Sequence, residues 1–147
     1  MRHCLLATLA LLAFTAAAHA EVKKDILVTN MKNPSGLAVQ PETGHVFISD
    51  SGNSRVLRYK PGAPRPDRIE VSINGFPKDI YGKGPMYDIG PLGLGFINQN
   101  TLVVGGGGNK DGEELLRIYA VPEVGKKIKA DDMAEKLGPI AAGEESE

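Results

Sequence analysis

Asp50, Asn53 and Arg55 flank one short segment, Ser51-Gly52-Asn53-Ser54, so a carboxylate, an amide and a guanidinium meet at one turn. At the rim of a sheet such a trio could hold a polar ligand. Asp and Asn side chains in tight turns, however, bond nearby backbone N–H groups, and an arginine across the turn can pair with the aspartate. The trio therefore reads as a turn clamp. A second group has more to offer. Phe76 to Asp88 adds Tyr81, Lys83, Tyr87 and Asp88 to a segment rich in glycine and proline. Tyrosines there can stack on a sugar or anchor a partner, and Lys83 and Asp88 can supply charge-assisted hydrogen bonds. The same tyrosines, with Met86, could equally cover a sheet edge. Both readings stay open, and these four residues are the ligand-binding candidates.

Other signals for chemistry fail on inspection. Gly105-Gly106-Gly107-Gly108-Asn109-Lys110 lacks the Lys-Ser/Thr and the helix that a phosphate-binding loop needs, and Gly90-Pro91-Leu92-Gly93-Leu94-Gly95 has proline where a dinucleotide fold starts its helix. The glycine run reads instead as a loop that lets the backbone pass close to a neighbour. His45 sits on an apolar run with no second histidine near it, which suits a half-buried structural residue better than a metal ligand. No Ser-His-Asp or Cys-His arrangement is visible. No catalytic residue and no metal ligand is assigned.

The elements that position these residues are short and separated by turns. The 147 residues include 18 glycines and 10 prolines and no tryptophan, a composition that favours many short strands over helices. With 17 basic and 18 acidic residues and no long block of either sign, the chain offers nothing to nucleic acid or to an anionic membrane. Its first residues, Arg2 and His3, an apolar run from Leu5 to Ala18 and Ala18-His19-Ala20, have the form of a secretory signal peptide cleaved after Ala20. The run is shorter than the roughly 20 residues of a membrane span. Export to the cell exterior or periplasm is the expected localisation. Cys4, the single cysteine, would leave with that peptide, so disulfides and cysteine-held metals are not expected to support the mature part.

Beyond residue 32 the pattern is β throughout. Leu37 to Val39, His45 to Asp50, Arg55 to Tyr59 and Arg68 to Ile73 read as four strands separated by Gln40-Pro41-Glu42-Thr43-Gly44, by the Asp50–Arg55 turn and by a proline-rich stretch. The pattern then recurs. Pro34–Val39 is answered by Pro91–Phe96, Val46–Ser49 by Thr101–Val104 and Val56–Tyr59 by Leu116–Tyr119, with the offset drifting from 57 to 55 to 60. Drift confined to turns is what repeated sheets with variable loops produce. On that alignment Gly105 stands where Asp50 does, and Leu115 where Arg55 does.

Asn33-Pro34-Ser35-Gly36-Leu37-Ala38-Val39 followed by Gly44-His45-Val46-Phe47-Ile48-Ser49-Asp50-Ser51-Gly52-Asn53-Ser54-Arg55-Val56 resembles the NHL repeat. The resemblance is close over Asn33 to Tyr59 and loose over Gly90 to Tyr119. It implies an all-β fold, a partial β-propeller of antiparallel four-stranded blades, within the broad group that includes gluconolactonase-like hydrolases. Those enzymes hold a divalent metal on carboxylate and amide side chains of several blades, and none of these positions can be matched here. A divalent metal is expected only if the chain belongs to such a hydrolase.

The expected organisation is a signal peptide over 1–20, a lead-in strand over 21–32, a first blade over 33–74, an inserted loop over 75–89, a second blade over 90–124 and a polar, helix-tolerant connector over 125–147. Leu37, Val39, Phe47, Val56, Leu94, Phe96, Leu102 and Ile118 are expected between the sheets. A propeller ring typically has 4–8 blades, so two need either further blades or further copies. The expected function is that of a binding scaffold for an extracytoplasmic protein, peptide or carbohydrate, with a metal-dependent hydrolase as the alternative, and self-association is expected of exposed blade faces.

Overall fold

The structure is a computed structural model in which residues 24–82 and 84–141 are described; the segment expected as a signal peptide, Cys4 and Lys83 lie outside them. Three sheets are present among these residues, and the two large ones are blades.

The first blade runs β1 (Pro34–Val39), β2 (Val46–Asp50), β3 (Arg55–Tyr59) and β4 (Ile69–Asn74), each antiparallel to the last. Val46, Phe47 and Ile48 in β2 and Val56 and Tyr59 in β3 are the β-branched and aromatic residues that half-buried strands favour. The turns follow their local chemistry. Glu42 and Gly44 take φ of 65° and 67° between β1 and β2, and Ser54 at φ 54° ends the 3-10 turn Ser51–Asn53. A hairpin, β5 (Asp79–Tyr81) and β6 (Tyr87–Ile89), follows β4, so the segment expected as an inserted loop carries two short strands. The second blade is β7 (Pro91–Asn98), β8 (Thr101–Gly106) and β9 (Glu114–Ala120), completed by β11 (Glu135–Ile140) on its outer edge.

The connector expected to be helix-tolerant is neither helix nor tail. From Val121 the chain crosses to the first blade, where β10 (Ile128–Lys129) pairs in parallel with β4, and then returns as β11. The strap is tied at both ends: the Ala130 N–H donates to the Asn74 carbonyl at 2.8 Å, the Tyr119 hydroxyl to the Ala130 carbonyl at 2.7 Å and the Ala134 N–H to the Ile118 carbonyl at 2.8 Å. Glu70 adds a further tie, accepting from Arg58, from Lys60 and from the Gly125 N–H. Burial works against ionisation of Glu70, but these donors and the Arg58 charge outweigh it and hold the carboxyl below its ordinary value. β11 escapes sequence reading because it is an exposed edge strand containing Pro139, and edges tolerate charge and proline. The lead-in expected as a strand, Lys24 to Thr29, has no regular structure.

The blades share one interior face. Phe47, Val56, Ile73, Phe76, Leu102, Val104, Tyr119 and Ala130 form the core, with Leu94 and Phe96 packed against it. Phe47 meets Phe96 edge-on at 5.2 Å, and the Arg58 guanidinium lies 4.8 Å above the Phe47 ring. The innermost strands, β1 and β7, touch, and a Cβ at Gly36 would overlap the Leu92 carbonyl oxygen. Leu37 and Val39, expected inside, are instead 64% and 56% exposed. Side chains alternate along a strand, and here Gly36 and Ala38 take the inward positions. Ile118 likewise lies outside the core, since its neighbours Arg117 and Tyr119 point in.

The sheet register also corrects the repeat alignment by one residue. Val39 pairs with Val46 and Phe96 with Leu102, so Leu102 answers Val46, and Gly106, not Gly105, answers Asp50. A one-residue slip moves every side chain of a strand to the opposite face. Under the true register Phe47 answers Val103, and the second blade's Leu94, Phe96 and Leu102 are the counterparts of Leu37, Val39 and Val46.

Candidate functional site

Three segments gather at one rim: the Asp50–Arg55 turn, the β5–β6 hairpin and the loop from Gly106 to Glu113. The turn is fixed first. Asp50 is fully buried and its carboxylate accepts from the Lys32 backbone N–H at 2.7 Å, from the Asn53 amide at 2.9 and 3.1 Å and from the Arg55 Nε–H at 2.7 Å. Every acceptor position is turned inward, so this trio presents little to a ligand. The next residue extends the order to the hairpin, because the Gly90 N–H donates to the Ser51 hydroxyl at 2.8 Å.

The hairpin has two faces. Tyr81 pairs directly with Tyr87, and Asp79 with Ile89, on one; Ile80 pairs with Asp88 on the other. Asp88 is bound to the Lys32 ammonium, lies 3.9 Å from the Lys78 Nζ, and through its carbonyl accepts from the Asn33 amide at 3.1 Å. The hydrogen bond from Lys32 holds the Asp88 carboxyl below its ordinary value. Asp88 thus anchors the hairpin to the lead-in. Tyr81 and Tyr87 remain 70% and 48% exposed. The four binding candidates are therefore divided: the tyrosines stand together, Asp88 is engaged elsewhere, and Lys83 lies outside the described residues.

Between the hairpin and the glycine loop lies an open groove of about 1000 Å³. Asp79, Tyr81 and Ile89 form one wall, Leu92 belongs to its floor, and Gly107, Asn109, Lys110, Asp111 and Glu114 form the other wall. The glycines make this closeness possible. A Cβ at Gly107 would overlap the Leu92 side chain, and one at Gly108 would overlap the Pro77 carbonyl oxygen. The Gly107 N–H donates to the Gly90 carbonyl at 2.8 Å, joining loop to hairpin base. Gly108→Ala is accordingly expected to push the loop off Pro77 and widen the groove, at a cost of about 1–3 kcal/mol in stability, typical of overpacking. Thermal unfolding of the variant checks it.

Electrostatically the groove is acidic. Burial raises the Glu114 carboxyl above its ordinary value, and the charges of Asp111 and Asp79 add to the rise while Arg117 opposes it. One oxygen of Glu114 is buried without a hydrogen-bond partner. Among the described residues no group of three or more His, Cys, Asp or Glu side chains is arranged to hold a metal ion. His45 is partly buried, and burial, with the Arg58 charge, lowers its pKa. Asp79, Asp111 and Glu114 are not singled out in the sequence because they flank the hairpin and loop at distances only the fold brings together. The glycine run marks the loop, but its partner across the groove has no linear signal.

Among the described residues no helix is long and apolar enough to cross a membrane. Residues 31–59 match the family model of the NHL repeat, the segment that runs from Met31 through β1, β2 and β3. No curated protein matches the chain. The matched segment contains the Asp50 clamp and leads into the two antiparallel blades, so the chain carries an NHL repeat within a partial β-propeller scaffold.

Proposed function

We propose that this scaffold is an exported binding module whose ligand is a peptide carrying a cationic side chain, held in the groove between the hairpin and the glycine loop. The observation that carries the reading is the meeting of Asp79, Asp111 and Glu114 beside an exposed tyrosine, with Lys110 the one basic residue of the lining. A lysine or arginine entering the groove would offset the burial of the Glu114 carboxylate and the Asp111 and Asp79 charges beside it, and its alkyl stem and charge would lie against Tyr81. Export is supported by the N-terminal sequence, with its basic start, apolar run and Ala-His-Ala end. A carbohydrate could use the same tyrosine, but not the acidity of the opposite wall to the same advantage.

The test is a pair of arrays, one of lysine- and arginine-containing peptides against neutral and acidic ones, the other of glycans. Binding to basic peptides is expected. Selection of glycans alone would refute the peptide reading. Its pH dependence has a definite sign: the ionised carboxylate binds the cation, so affinity is full at neutral pH and falls as pH drops through the Glu114 pKa, at a midpoint above the ordinary 4.5. Glu114→Gln should weaken peptide binding about tenfold, the scale of one charge-assisted hydrogen bond, and remove the part of the pH dependence that belongs to Glu114. Fluorescence anisotropy of a labelled lysine peptide across pH 3–8 measures both.

A further inference from the structure

Among the described residues two large blade faces have no neighbouring sheet, and they are counterparts of the two faces that already meet inside the chain. On the first blade Leu37 pairs with Ile48, Val39 with Val46 and Tyr59 with Ile69, which places these side chains on the face turned away from the second blade. A mainly apolar hollow of about 520 Å³ opens there among Leu27, Leu37, Val46, Ile48 and Tyr59. On the second blade Val103 pairs with Ile118 and Leu116 with Leu137 on the face turned away from the first.

Two glycines show what the second face is shaped for. At Gly36 the absent side chain lets β7 approach, since a Cβ there would overlap Leu92. Gly93 is its counterpart one blade on, and Gly95 is the counterpart of Ala38. Neither has a positive φ, and a Cβ built on either meets nothing within 4 Å. Glycine inside a strand weakens it unless another backbone comes close; β1 comes close to Gly93 at Gly36, but on the side where a Cβ would stand no described residue approaches Gly93 or Gly95.

We infer that a second copy of this chain docks head to tail, its first-blade face of Leu37, Val39, Val46 and Ile48 seated on the Gly93, Val103, Ile118 and Leu137 face of its neighbour. This contact continues the interface already present between the two blades: Ser35 and Gly36 of the incoming copy would stand to Gly93 as Leu92 and Gly93 stand to Gly36. A heterologous contact of this kind closes into a ring when the rotation permits. The inference concerns faces remote from the groove and does not depend on what the groove binds.

Sedimentation velocity on the purified full chain should show a defined species larger than a monomer at micromolar concentration. Gly93→Leu fills open space in the single chain, so it should keep the wild-type circular dichroism yet weaken assembly roughly thirtyfold or more, the scale of an interface hot spot. Leu37→Asp on the opposite face should do the same, and Leu137→Asp, on β11 at the other edge of the same sheet face, provides a second lesion. The decisive result is the mixture. Gly93→Leu and Leu37→Asp each retain one good face of opposite kind, so together they should form a 1:1 dimer and nothing larger. A monomeric wild type, a Gly93→Leu variant that is folded and assembles normally, or a mixture that stays monomeric would each overturn the inference.

Discussion

Phe47→Ala should lower the free energy of unfolding by about 3–5 kcal/mol, the range for removing a fully buried phenylalanine. Phe47 has no exposed surface, lies edge-on to Phe96 across the two blades, and supports the Arg58 guanidinium over its face. Its loss leaves a cavity at the junction of both sheets and removes the ring beneath a buried cation whose remaining partners are Glu70 and the Pro122 carbonyl. Burial already pushes the Arg58 pKa down, so weakening its surroundings adds to the cavity term. Urea denaturation by circular dichroism measures the effect. A loss below about 1 kcal/mol, the usual scale for a surface site, would place Phe47 outside the core.

Asp50→Ala is expected to cost about 3 kcal/mol, the lower end of the range for stripping one partner from a buried ion pair. Three donors lose their acceptor at once: the Lys32 N–H, the Asn53 amide and the Arg55 guanidinium. The estimate sits at the low end because Arg55 keeps 31% of its side chain exposed and can turn to water, whereas Asp50 has none exposed. The effect should also travel. The Ser51 hydroxyl accepts from the Gly90 N–H, so a loosened turn frees the start of the second blade and the base of the hairpin. Asp50→Asn, which retains an acceptor for part of this set, should recover part of the stability. Chemical denaturation of both variants gives the comparison, and equal stability of alanine and wild type would remove the clamp from any structural role.

The sequence shows the clamp plainly because its parts are contiguous: an aspartate, a glycine turn, an asparagine and an arginine within six residues. The strands β2 and β3 are equally legible, since Val46-Phe47-Ile48 and Val56-Leu57 carry the β-branched and aromatic residues that pleated surfaces favour. What sequence reading misses is relational. The direction of Leu37 and Val39 depends on which side the second blade packs: their counterparts Leu94 and Phe96 face the first blade, whereas Leu37 and Val39 face away from the second. β11 is hidden by Glu135, Lys136 and Pro139, residues suited to a solvated edge, and it follows a strap whose purpose appears only when β10 lies beside β4. The groove is hidden for the same reason. Tyr81 can be singled out by type, but Asp79 and Glu114 become neighbours only after the second blade folds against the hairpin, and Asp88, a candidate by type, is drawn away by Lys32.

An isotope-labelled full chain titrated with a lysine-rich peptide, and followed by backbone amide shifts, tests the groove most directly. The largest shifts are expected at Tyr81, Gly82, Gly107, Asn109 and Glu114, with Gly93 and Leu37 unmoved, and they should disappear in Glu114→Gln at the same peptide concentration. Shifts centred on the Asp50 turn or on the Leu37 face, or no shifts at millimolar peptide, would contradict the assignment of the groove as the binding site.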